Sequence, residues 1–106
     1  MADTVARIKV LAATGDVLVT RHAHTELAND GIITDDVIRG APDGVVVEDY
    51  PLHDRGPCAL MLQSDARGPI HVVWGLRRGT DRPAVIITAY RPDPHQWVDD
   101  FTRRAT

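Results

Sequence analysis

The stretch IHVVWGL, residues 70–76, alternates in a way that only a strand satisfies. Successive side chains of a strand point to opposite faces. Ile70, Val72, Trp74 and Leu76 therefore share one face, and His71, Val73 and Gly75 share the other. The first set is wholly apolar and predicts a core-facing side. Three further runs have the same β-rich make-up: GVVVEDY (44–50), CALMLQS (58–64) and AVIITAY (84–90). The connections PLHDRGP, DARGP and RRGTDRP are short and rich in Gly, Pro and Asp. Segments that short make hairpins, whereas parallel crossovers need a dozen residues or more.

Upstream of residue 44 the period changes. TVARIKVLAA (4–13) places Val5, Ile8, Leu11 and Ala12 at helical spacing, and Gly15 with Asp16 ends the run. VLV (17–19) reads as a short extended lead-in. Thr20 predicts the N-cap of a second helix over about 21–30, and Gly31 suits the left-handed position after it. Thr34, followed by Asp35 and Asp36, predicts a third helix that stops before Gly40 and Pro42. At the far end, PDPHQWVDDFTRR (92–104) reads as a closing helix, with Trp97 and Phe101 four residues apart. The fold class expected for residues 1–106 is one α+β domain, with N-terminal helices packed on one face of a four-stranded antiparallel sheet. Ile70, Val72, Trp74, Val85, Ile87, Leu60 and Leu62 form the expected buried set.

The same alternation collects a less apolar set: Glu48, Tyr50, Gln63, His71, Thr88 and Tyr90. If helices cover the apolar face, these groups converge on the other one. An imidazole beside a carboxylate and phenols can do acid–base chemistry. The alternative is a half-solvated face of the kind antiparallel sheets commonly have.

Outside the sheet, RHAHTE (21–26) places His22 and Glu26 four residues apart, on one helix face, with His24 pointing elsewhere. In a strand, His22, His24 and Glu26 would align and could hold a metal, but the spacing lacks the second cluster of a zinc site. No metal and no cofactor are therefore expected. Arg91 ends a strand at a rigid Pro92 turn. There it could clamp a phosphate or carboxylate, or pair with an acid. The lone Cys58 reads as a small buried hydrophobe and excludes an internal disulfide. No Gly-rich phosphate loop and no Gly-x-Ser-x-Gly elbow occurs.

Net charge is −3, which argues against a broad nucleic-acid surface while leaving room for a local patch. Eleven of the twelve basic residues are Arg, a bias that suits planar bidentate contacts but also follows from GC-rich coding. The apolar runs are too short to span a bilayer, so no membrane partner is expected, and a cytoplasmic location is the default.

HAHTELANDGIITDDV (22–37), VVVEDYP (45–51), IHVVWG (70–75) and VIITAYRPDPHQW (85–97) together resemble the family called domain of unknown function 4258. These are small bacterial domains. Their pattern has a helical His-Ala-x-x-Arg, a Gly-Ile before a short helix, an Asp-Tyr strand, a Leu-His-Val-Val strand and a closing Ile-Thr-x-Tyr strand. The resemblance covers residues 20–97. It implies a fold like that of RelE-like and barnase-like toxin ribonucleases, whose sheet carries His, Arg, Tyr or acidic groups on its exposed face. His22 matches the family's helical His, His71 its strand His and Tyr90 its closing Tyr. The chain departs from the pattern at Glu26 and Asp30, where the family carries Arg.

The function expected on these grounds is a toxin-like, metal-independent endoribonuclease of a toxin–antitoxin type system. Its partners would be RNA and an antitoxin-like protein. His71 or Glu48 would act as base, His22 or Tyr90 as acid, and Arg91 would stabilise the phosphorane. The alternative is a catalytically silent relative that binds a protein or small ligand through the same face. A metal-dependent hydrolase would require His22, His24 and Glu26 to converge.

Overall fold

The computed structural model describes residues 3–106. Its first helix, α1 (Thr4–Thr14), buries Val5, Ile8, Leu11 and Ala12, the residues the helical period selects. The Asp3 carboxylate accepts from the Val5 and Ala6 amides at 3.0 and 3.2 Å and starts it. Gly15, at φ +78°, ends it in the left-handed conformation that favours glycine. A short strand, β1 (Val17–Val19), leads into α2 (Arg21–Asn29). Thr20 caps α2 as expected: its hydroxyl accepts from the Ala23 amide at 3.0 Å. The third helix, α3 (Thr34–Gly40), runs on into a 3₁₀ turn over Ala41–Asp43. Its N-cap is Ile33 and not Thr34, with no side-chain hydrogen bond, although Asp35 and Asp36 lie in the first turn.

The strands β2 (Val45–Tyr50), β3 (Cys58–Asp65), β4 (Gly68–Leu76) and β5 (Ala84–Tyr90) form the expected antiparallel series. The sheet is nevertheless five-stranded and mixed, in the order β1-β5-β4-β3-β2, because β1 adds to β5 in parallel. The expected four-stranded antiparallel sheet is thus one strand short. β1 has three residues, and its partner lies more than sixty positions away, so no local pattern announces the pairing.

Two bulges revise the expected faces. One falls at Val47 in β2, the other at Ile87 in β5 opposite Val73 and Trp74. A bulge adds one unpaired residue and reverses the alternation beyond it. In β5 the core residues are therefore Ala84, Ile86 and Ala89, while Val85 is half-buried and Ile87 exposed. β3 has no bulge against β4, and its unbroken register sets Ala59, Met61 and Gln63 opposite Trp74, Val72 and Ile70, on the side facing the helices. Leu60 is buried on the opposite side, and Leu62 only half-buried. Ile70, Val72 and Trp74 are fully buried under the helices, as expected. Each apolar side chain so buried contributes roughly 1.5–3 kcal/mol.

Gln63 belongs to this helix-covered face rather than to the open one. Its carbonyl oxygen accepts from the Trp74 indole at 2.7 Å, and its amide donates to the Val37 carbonyl at 2.7 Å. The expected closing helix is absent. Residues 97–104 form a two-stranded hairpin, β6 (Trp97–Val98) and β7 (Arg103–Arg104), across the face that the helices leave bare. Its turn, Asp99–Asp100–Phe101, has φ of 53°, 55° and 68°. Asp tolerates the left-handed region better than most residues, and that conformation breaks a helix at once. Among the described residues, no helix is long and apolar enough to cross a membrane.

Candidate functional site

On the open face, the C-terminal hairpin and β2–β5 enclose a cleft of about 310 Å³. Glu48, Tyr50, His53, Tyr90 and Arg104 supply its polar lining, and Cys58, Leu60 and Val73 its floor. Strand pairing brings these residues together: His71 lies opposite Tyr90, and Glu48 opposite Leu60.

Glu48 and Arg104 form a bidentate pair, with Nε–Oε2 at 2.7 Å and Nη2–Oε1 at 3.0 Å. The Tyr50 hydroxyl also donates to Glu48 Oε1 at 2.7 Å. The Arg104 hydrogen bonds, assisted by that of Tyr50, hold the Glu48 carboxyl below its ordinary range. The hydrogen bond to the Glu48 carboxylate holds Tyr50 in its phenol form and pushes its pKa up. The Arg104 guanidinium also lies 4.9 Å from the Trp97 ring centre, a cation–π contact that steadies it over the cleft.

Beneath the hairpin, His71 is fully buried. Its Nε2 donates to the Phe101 carbonyl at 2.8 Å. A carbonyl only accepts, so Nε2 carries the proton, and Nδ1 accepts from the Tyr90 hydroxyl at 3.2 Å. Trp97 and Tyr90 stand edge-on to the ring at 4.3 and 5.4 Å. Burial lowers the His71 pKa against the opposing effect of the Phe101 carbonyl. Burial thus favours the neutral imidazole, and both nitrogens are engaged. Burial likewise raises the Tyr90 pKa.

Of the five residues singled out from the sequence, Glu48, His71 and Tyr90 come together here. His22 does not. It lies exposed on α2, which packs on β5 from the helix side, and pairs with Glu26 at 2.8 Å. Arg91 does not either. It points to the helix side and grips Asp65 in a two-pronged pair at 2.8 and 2.7 Å. That pair draws the Asp65 pKa down to about 2. The Arg91 amide also donates to Asp30 at 2.8 Å, so the acid at that position ties α2 to the end of β5. Among the described residues, no group of three or more His, Cys, Asp or Glu is placed to hold a metal ion, and His22, His24 and Glu26 do not converge.

Arg104, Trp97 and the Phe101 carbonyl are the components that sequence reading missed. Asp99–Asp100 flanked by the β-prone pairs Trp97–Val98 and Phe101–Thr102 is the turn pattern that could have found them.

The family described as Domain of unknown function (DUF4258) matches residues 19–91, more than half of the chain, and the chain belongs to it. No curated protein matches. No solved structure matches. The family region contains Glu48, His71 and Tyr90, and the hairpin that closes the cleft lies beyond it.

Proposed function

We propose that this member of the family is a toxin-like, metal-independent endoribonuclease acting at the open-face cleft, on a sheet related to those of the RelE-like and barnase-like ribonucleases. The observation that carries the reading is the union of a carboxylate, a guanidinium and a phenol in one cleft, with Glu48 and Arg104 already in contact. In the proposed reaction Glu48 takes the proton of an RNA 2′-hydroxyl. The O2′–P bond forms, and Arg104 balances the phosphorane charge. The P–O5′ bond then breaks, and the Tyr90 hydroxyl turns its proton from His71 Nδ1 to the leaving oxygen. The products are a 2′,3′-cyclic phosphate and a 5′-hydroxyl. His71 acts through Tyr90 as a positioning residue. The arriving phosphate competes for Arg104, which frees Glu48 and raises its basicity at the moment it is needed.

The test is single-turnover cleavage of single-stranded and structured RNA with EDTA present. Glu48→Gln should slow cleavage by about 10²–10⁴-fold, and Arg104→Ala by about 10²-fold or more. Equal cleavage by all three proteins would identify a contaminating nuclease. No cleavage by the wild type would overturn the enzymatic reading.

A second reading is favoured by the state of His71, which has neither exposed surface nor a spare nitrogen. It is a silent relative that binds an anionic group or a protein through the same cleft. It requires retention of a ligand without turnover, lost on Arg104→Ala.

A further inference from the structure

β2 is an outer strand of the main sheet. It pairs with β3 on one side and, among the described residues, with no strand on the other. The opposite edge, β1, is only three residues long, whereas β2 has six. An outer strand presents a row of N–H and C=O groups that template a further strand. Such edges are usually blunted by lysine, proline or a bulge. Val45–Tyr50 contains no lysine, arginine or proline, and the bulge at Val47 and the charges of Glu48 and Asp49 are what interrupt it.

The surface along this edge is apolar and acidic. Val45 and Val46 are 53% and 41% exposed, and Leu52, just past the strand, is 93% exposed. Residues 43–55 carry four carboxylates and one guanidinium. Arg104 neutralises Glu48, and Arg55 and Arg78 offset Asp54, so exposed Asp43 and Asp49 set the sign along the strand itself.

We infer that β2 accepts a short extended segment of a partner protein, one that combines apolar with basic residues and adds a sixth strand to the sheet. Main-chain hydrogen bonds would supply affinity, and contacts to Val45, Val46 and the aspartates would supply selection. The charge argues against a second copy of this chain. Antiparallel pairing of β2 with itself would bring two sets of aspartates to one edge, and like charges across a strand pair destabilise it. The bulge limits the added strand to a few residues on either side of Val47. This inference does not depend on the ribonuclease reading.

The probe is a fluorescein-labelled, end-blocked hexapeptide alternating valine and arginine. Controls replace arginine by glutamate, or the middle valine by proline. Binding is followed by anisotropy, and its location by amide hydrogen exchange of the full chain. The arginine peptide should bind at least tenfold tighter than either control and slow exchange along β2. In D43K/D49K, whose changes lie on exposed side chains, the preference should reverse toward the glutamate peptide. Equal binding of the proline peptide would reduce the effect to charge attraction and overturn the inference. So would protection elsewhere, absence of binding, or self-association of the wild type through β2 in sedimentation.

Discussion

The two faces of the main sheet each bury a polar side chain, and they do so by different means. Under the helices, Gln63 joins the Trp74 indole to the Val37 carbonyl inside an apolar cluster built from α1, α2, α3 and the strands. On the other face, His71 joins Tyr90 to the Phe101 carbonyl under a hairpin of two-residue strands. In both places the polar atoms are satisfied, as burial demands. The cover differs. Three helices and a broad apolar contact hold the first. Trp97, one carbonyl and the exposed side of a Glu48–Arg104 pair hold the second. Chemistry and access are therefore expected on the hairpin face and rigidity on the helix face.

The largest expected effect is on the helix face. Trp74→Ala should cost about 3–5 kcal/mol in urea denaturation, because it empties a large site and orphans Gln63. A loss below 1 kcal/mol would mean that the helices hold the sheet less tightly than their packing implies. Next, Gln63→Leu keeps the volume but strips partners from the Trp74 N–H and the Val37 carbonyl. It should cost about 2–3 kcal/mol. Full stability of this variant would show that water replaces the amide.

Two buried or paired groups, one on each face, should also separate in pH. Asp65, on the helix side, titrates near 2 when folded against an ordinary 3.8. Its pairing with Arg91 stabilises the fold above the ordinary value and is lost as pH falls toward 2. Solvent reaches part of Arg91, so the pair contributes about 1–2 kcal/mol. Asp65→Asn should flatten the stability curve in that window. His71 behaves differently. Its folded pKa lies below the ordinary 6.5, so the unfolded chain binds a proton first and stability declines as pH drops below about 6.5. His71→Gln should flatten that higher window alone. If the two variants flatten the same window, the assignment of the acid window to Asp65 and the higher one to His71 fails.

The smallest effect expected in global stability is that of Arg104→Ala. A partly exposed ion pair contributes about 0.2–1 kcal/mol. Locally the change should be plain, because Arg104 lies over Trp97: acrylamide should quench Trp97 fluorescence more readily in a Trp74→Phe background. Unchanged quenching would show that Trp97 and the Phe101 carbonyl hold the hairpin without the guanidinium.

Much of this was legible in the linear chain. The 2-residue period of 70–76 and the 3.6-residue period of 4–13 come from side-chain direction along each element, so they report strand β4, helix α1 and their buried sides directly. Thr20 and Gly15 act through hydrogen bonds and backbone freedom within a few residues, and the sequence determined them too. Glu48, His71 and Tyr90 share a face because alternation put them there, although in β2 and β5 a bulge intervened.

What only the tertiary structure decided depends on residues far apart in the chain. The parallel partner of β1, the two bulges, the turning of Gln63 toward Trp74, the capture of Arg91 by Asp65 and the landing of Arg104 on Glu48 each join segments more than ten positions apart, and three of them join segments more than twenty apart. Local pattern encodes which way a side chain points along its own element. It does not encode which distant charge or carbonyl will meet it, because that depends on how the whole sheet twists, bulges and is covered.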